Sequence, residues 1–150
     1  MLLQPVLDVI DPGGELPRLL STAIRKEAIA VRWHRDVDEW LEQRHDPGEQ
    51  DAAEAPGCLL LKVMEPGLEA LDPYLRLKAR HLDKPVIIVS RHGNPALAVA
   101  SFKLKAFDYF SEPVEAGALV SSIKAALRRQ RVTAGLRIPS PTPAHRASVS

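Results

Sequence analysis

The apolar run CLLLKV at residues 58–63 carries a lysine, Lys62, near its C-terminal end. Pro-Gly pairs stand on both sides, at 56–57 and 66–67, so the run reads as a turn, a buried strand and a second turn. In a parallel α/β sheet, ligands and chemistry gather at the C-terminal ends of strands, and an ammonium group is an unusual occupant there. Other residues able to do chemistry are sparse. The five histidines, His34, His45, His81, His92 and His145, include no pair at i,i+3 or i,i+4, so a helical metal pair is absent. His92 falls in a predicted loop and reads as a loop polar residue rather than a ligand. The single cysteine, Cys58, excludes an intramolecular disulfide and a CxxC metal site; opening an apolar run, it is expected to be a buried, inert thiol. No Ser–His–Asp arrangement can be argued, and the PGG at 12–14 is a turn rather than a phosphate-cradling loop. No metal or cofactor is implied by these residues.

The elements that must position Lys62 follow from periodicity and punctuation. PVLDVI (5–10) is a short β-branched strand closed by DPGG, and ELPRLLSTAIRKEA (15–28) spaces Leu16, Leu19, Leu20 and Ile24 as a helix does. AIAVRWH (28–34) is a second strand. Asp36 and Glu39 form a capping box before VDEWLEQR (37–44), with Trp40 and Leu41 facing inward. The acidic stretch HDPGEQDAAEAPG (45–57) reads as a surface loop. After CLLLKV, the helix LEALDPYLRLKARHL (68–82) contains Pro73, which predicts a kink or a late start. PVIIVS (85–90) is a fully apolar strand, NPALAVASFKLKA (94–106) a helix with an Asn cap and Pro95 in its first turn, FDYF (107–110) a short strand, and VEAGALVSSIKAALRRQ (114–130) an amphipathic helix. Strands alternating with helices imply right-handed crossovers and a parallel sheet covered on both faces.

At 150 residues, 45% hydrophobic, 26% charged and net charge +1, the composition suits one soluble domain with no bias toward nucleic acid or membrane. No apolar run approaches a membrane span, the N-terminus lacks a signal-peptide pattern, and a cytoplasmic protein is expected. We expect one domain over 1–130 and a disordered Pro/Ser-rich tail over 131–150. The basic end of the last helix is explained by the helix dipole, so direct nucleic-acid binding is not expected.

The order of elements and two strings, PGCLLLKVMEPG (56–67) and PVIIVSRHGNPALAVASFKLKAFDYFSEPV (85–114), resemble the receiver domain of two-component response regulators, in its nitrogen-fixation/LuxR-type branch. The resemblance covers about residues 5–130. It implies a doubly wound five-stranded sheet of order 2-1-3-4-5, flavodoxin-like, with a phosphoryl-transfer site at the C-terminal strand ends. That chemistry needs an aspartate nucleophile, acidic ligands for Mg²⁺, a lysine and a hydroxyl. Carried onto this chain, the nucleophile position is Lys62, which cannot take an acyl phosphate. The acidic pair after the first strand is Asp11 and Pro12, with Glu15 close by, and the family's lysine is Glu112. The switch positions keep Ser90 and Tyr109.

The resemblance therefore implies a pseudo-receiver that is not an enzyme and is not phosphorylated, with Lys62 reaching Glu112, Asp11 or both. It also implies an interaction surface of helix four, strand five and helix five, where Ala98, Phe102, Lys103, Asp108, Tyr109, Lys124 and Arg128 are candidates. Partners would be a histidine kinase, a response regulator, a transcription factor or a second copy. The alternative is the regulatory half of a DNA-binding regulator whose effector domain is absent from this chain. A phospho-acceptor at Asp8 or Asp11 is the least favoured reading.

Overall fold

A computed structural model describes residues 4–43, 56–80 and 82–136, with side chains up to 130. The acidic loop at 46–54, His45, His81, His145 and the segment from 137 onward lie outside the described residues.

Five strands form one parallel sheet: β1 (Val6–Ile10), β2 (Ala30–His34), β3 (Gly57–Val63), β4 (Val86–Ser90) and β5 (Asp108–Ser111). Their order is β2-β1-β3-β4-β5, as the resemblance implies. The helices are α1 (Glu15–Ala23), α2 (Val37–Gln43), α3 (Asp72–Ala79), α4 (Pro95–Lys103) and α5 (Ala116–Leu136). Every residue of β3 and of β4 is buried, the signature of strands covered on both faces. Period-two alternation splits them between two cores. Leu7, Val9, Cys58, Leu60, Ile87 and Val89 pack with Leu16, Leu20, Leu119 and Ile123 of α1 and α5. Ile10, Leu59, Leu61, Val63 and Ile88 pack with Trp40, Tyr74, Leu77 and Leu97 of α2, α3 and α4.

Local chemistry sets the helix boundaries. Asn94 accepts a hydrogen bond from the Leu97 amide at 2.9 Å, capping α4 with Pro95 in its first turn. Pro73 gives the late start: a 3-10 turn over Leu68–Leu71 precedes α3. The first helix is shorter than its spacing predicts, because its last turn tightens to a 3-10 turn at Arg25–Glu27 and Ala28 turns left-handed at φ 56°. α4 stops at Lys103 through a Schellman closure, in which the Lys105 amide donates to Phe102 and the Ala106 amide to Ser101, each at 3.0 Å. Lys105 takes φ 73° in that closure. α5 continues to Leu136, six residues past the domain boundary expected at 130.

Candidate functional site

In-register pairing of β1, β3, β4 and β5 brings Ile10, Lys62, Val63, Ser90 and Ser111 to one end of the sheet. Lys62 belongs to the α1/α5 face by parity with Cys58 and Leu60, and its side chain is 1% exposed. An unpaired ammonium so placed would cost several kcal/mol, of order ~3–5. It is paired twice. Nζ lies 2.5 Å from Glu15 Oε1 and 2.9 Å from Glu112 Oε2. Burial pulls the ammonium toward neutrality, but hydrogen bonds to Glu15 and Glu112 and the negative charge of Asp11 outweigh it. Its pKa is thereby raised above 10.5. The hydrogen bond and charge of Lys62 in turn hold the Glu15 carboxyl below its ordinary 4.5.

Each partner is delivered by a different element. Glu15 is the first residue of α1, reached through the DPGG turn, where Gly14 adopts φ 70°. Glu112 follows β5, and its amide donates to the Ser90 carbonyl at 2.9 Å, tying it to the end of β4. Glu15 is the functional residue that sequence reasoning noted nearby but did not assign. A glutamate opening a helix is favoured by the dipole in any protein, so nothing in its position advertised a second duty.

Of the two partners expected for Lys62, Glu112 is met by an ion pair; the other is Asp11. It is fully buried, but its carboxylate is spent on the start of α1: Oδ1 accepts from the Gly13 amide at 3.0 Å and Oδ2 from the Leu16 amide at 2.7 Å. It stabilises the ammonium of Lys62 by charge, while Glu15 makes the ion pair expected of it. Pro12 is exposed and supplies no ligand atom.

A divalent cation does not fit this arrangement, because the ammonium of Lys62 stands between the carboxylates that would have to bind it. Among the described residues no cluster of three or more His, Cys, Asp or Glu side chains could hold a metal. The cluster opens onto a cavity of about 500 Å³ lined by Glu15, Leu16, Leu19, Arg91, His92 and Glu112, with Pro113 and Val114.

Behind the cluster, on the α4 side, Ser90 Oγ and Tyr109 OH are both buried without a hydrogen-bond partner among the described residues. Tyr109 packs against the α2/α3/α4 core. Gly93 approaches it closely: a Cβ there would sit 2.1 Å from Ser111 Cβ and 3.2 Å from the Tyr109 hydroxyl.

The expected interaction surface is only partly assembled. On α4, Phe102 is 50% exposed, Val99 53%, Lys103 is exposed and Ala98 half-buried. Asp108 is engaged internally, accepting from Ser122 Oγ at 2.7 Å and from the Tyr109 amide at 2.8 Å. Lys124 turns away from α4, its Nζ lying 3.2 Å from Glu27 on the α1 side. Arg128, one turn further on, shares that flank, because residues at i and i+4 share a helix face. Lys124 is thus engaged with the α1 side of the molecule.

The two remaining sequence expectations concern Cys58 and Asp8. Burial pushes the Cys58 thiol up to about 12, as expected of an inert thiol. Asp8 is buried in mid-strand, 2.9 Å from Arg32 Nε and 2.9 Å from His34 Nε2. Burial alone would raise its pKa, but its hydrogen bonds to Arg32 and His34 and their charges hold it below 3.8.

No protein-family model matches the chain. Among curated proteins it is 28% identical to the response regulator protein TodT of Pseudomonas putida over 123 residues, which make up 82% of this chain and 51% of that protein. It is likewise 28% identical to the transcriptional regulatory protein FixJ of Azorhizobium caulinodans over 124 residues, 81% of this chain and 54% of that protein. The chain thus spans about half the length of these relatives. Of solved structures, the response regulator StyR superposes with a TM-score of 0.71 at 24% identity, covering 90% of this chain and 65% of that one. FixJ-N superposes with a TM-score of 0.61 at 20% identity, covering 85% and 96%. The chain is thus similar in sequence over four-fifths of its length to response regulators, and it shares its fold with FixJ-N.

Proposed function

We propose that this chain is a pseudo-receiver, a signalling module that works through protein contacts without being phosphorylated. One observation supports the reading: a buried ammonium, Lys62, stands near the C-terminal end of β3, where the resemblance puts the acceptor aspartate, and is held by Glu15 at 2.5 Å and Glu112 at 2.9 Å. A nucleophilic carboxylate and a metal site are both replaced by an internal ion pair. The site holds a fixed charge distribution where a reacting receiver would change its own. Its partners, on this reading, are a histidine kinase, another response regulator, a transcription factor or a second copy. The exposed Val99 and Phe102 of α4 offer the apolar part of a contact.

Incubation of the full chain with a small phosphodonor and Mg²⁺, followed by intact mass, tests the reading. We expect an unchanged mass, and stoichiometric phosphorylation would overturn it. A second reading is favoured by length. The relatives include a transcriptional regulatory protein of which this chain spans 54%, so the module would be the regulatory half of a DNA-binding regulator. Fusion of this chain to a heterologous DNA-binding domain discriminates the two: activation or repression that depends on the chain supports the second reading.

A further inference from the structure

Trp33 stands on β2, an edge strand of the sheet, opposite Val9 in register. Its side chain therefore points to the face that α1 and α5 cover. The ring is 52% exposed, so burial gives it only part of the stabilisation a core tryptophan would have. Its contacts are nevertheless specific. The indole Nε1 donates to the Asp11 carbonyl at 2.7 Å. The six-membered ring lies over Gly14, where a Cβ would meet Trp33 Cζ2 at 3.5 Å. Both contacts fall on the DPGG turn between β1 and α1.

That turn must deliver two carboxylates to two places, Asp11 to the start of α1 and Glu15 to the ammonium of Lys62. The Asp11 carboxylate accepts from the Gly13 and Leu16 amides, and the Asp11 carbonyl accepts from the Gly14 amide at 3.1 Å. These bonds shape the turn from within. Its direction relative to the sheet is set from β2, by the Asp11 amide donating to the His34 carbonyl at 3.0 Å and by Trp33 on the Asp11 carbonyl. Two successive glycines leave the backbone free to take other paths, and Gly14 already sits at φ 70°. Buried Leu16 and Leu20 seat the body of α1 in the core, but its first residue depends on the turn. The Glu15 side chain is 59% exposed, so burial does not hold it over Lys62; its place follows from where the turn puts its backbone.

We propose that Trp33 is a positioning residue for the central ion pair: by bonding the Asp11 carbonyl and covering Gly14 it fixes the path of the turn and so holds Glu15 against Lys62. The inference rests on the ion pair itself, so phosphorylation of the chain, which would overturn the proposed function, leaves it untouched.

Trp33→Phe keeps a ring beside Gly14 and removes the indole N–H. Val31→Ala is the control, trimming an exposed side chain of β2 that stands opposite Leu7, away from the turn. The Glu15 carboxyl carbon, followed by NMR through an acid titration of the isotope-labelled full chain, reads the pair directly. Lys62 holds that carboxyl below its ordinary 4.5, so Trp33→Phe should raise its midpoint toward 4.5 and Val31→Ala should leave it in place. In urea unfolding, Trp33→Phe and Glu15→Gln should depart from additivity by at least ~threefold in the equilibrium constant, as residues in one network do. A third measurement leaves the indole unaltered and decides the matter even if Trp33→Phe does not fold. Glu15→Gln should speed hydrogen exchange of the Trp33 Nε1–H, because coupling between two sites is reciprocal. An unmoved Glu15 midpoint in Trp33→Phe, an equal rise in Val31→Ala, additive unfolding energies, or unchanged indole exchange would each overturn the proposal.

Discussion

Replacing Lys62 by Met and Glu112 by Gln, singly and together, measures whether the central ion pair is a working structural element. At the observed separation of 2.9 Å, two unit charges attract by ~1.4 kcal/mol in a water-like medium and ~6 kcal/mol at an effective dielectric of ~20. Lys62 is buried, but the Glu112 side chain is 28% exposed, and Glu15 remains as a second counter-charge in the Glu112→Gln protein. Both facts push the coupling toward the lower limit, to ~1.5–2 kcal/mol. Urea unfolding of the four proteins at neutral pH gives that coupling directly, and it corresponds to a spread of roughly 3–8 °C in thermal midpoint. Lys62→Met alone should cost less than removal of a fully buried partner, because the carboxylates it leaves behind, Glu15 and Glu112, are 59% and 28% exposed and stay hydrated. Glu112→Gln alone should cost more, since the ammonium stays buried with half its compensation gone.

The pH dependence has a definite sign. Lys62 is raised above 10.5, so its contribution is complete below that value and lost as pH climbs through the folded pKa. Glu15 is lowered below 4.5, so its contribution is present above that value and lost on acidification through the depressed folded value. The stability gap between wild type and Lys62→Met should therefore be flat between about pH 5 and 9 and change outside that window. Coupling below ~0.5 kcal/mol, the noise of additivity, would refute the claim that Lys62 is locked by its partners.

Three further outcomes are expected. Asp8→Asn should destabilise the protein by ~2–4 kcal/mol in chemical unfolding, because it leaves buried His34 without its carboxylate and removes the partner of Arg32; the loss should shrink as pH falls below 3.8 and wild-type Asp8 itself protonates. Gly93→Ala should lower stability by ~1–3 kcal/mol, since the new methyl meets Ser111 Cβ at 2.1 Å and neither backbone can yield cheaply. Cys58 should resist a thiol reagent at pH 8 in the folded chain and react once denatured, given a thiol pushed up to about 12.

Most of the architecture was legible because β3 and β4 are apolar throughout and α4 carries both an Asn cap and a proline in its first turn, signals with a direct physical cause. Element ends were less so. Nothing in the residues around Lys105 announces a left-handed helix stop, because the usual marker there is glycine. The charge cluster was half legible: Lys62 and Glu112 could be matched by position, whereas Asp11 and Glu15 exchanged duties. Both follow the same turn, and which carboxylate caps the helix and which reaches the ammonium depends on the path of the backbone through Gly13 and Gly14. The direction of the exposed flank of α5 was hidden for a similar reason. Spacing alone places Lys124 and Arg128 together, but only the packing of α5 against α1 says which way that flank points.

The opposite charges of Lys62 and Glu112 also bear on which substitutions this site can absorb. Lys62→Asp alone would remove the cation from between Glu15 and Glu112 and set a third carboxylate beside them, with Asp11 already committed to α1. Glu112→Lys alone would bring two ammonium groups together with Glu15 as their nearest carboxylate. Each single charge reversal is opposed by the charge left behind, so the two positions are free to change sign only together. The ion pair thus couples the variation of two residues fifty positions apart in sequence to the stability of one sheet end.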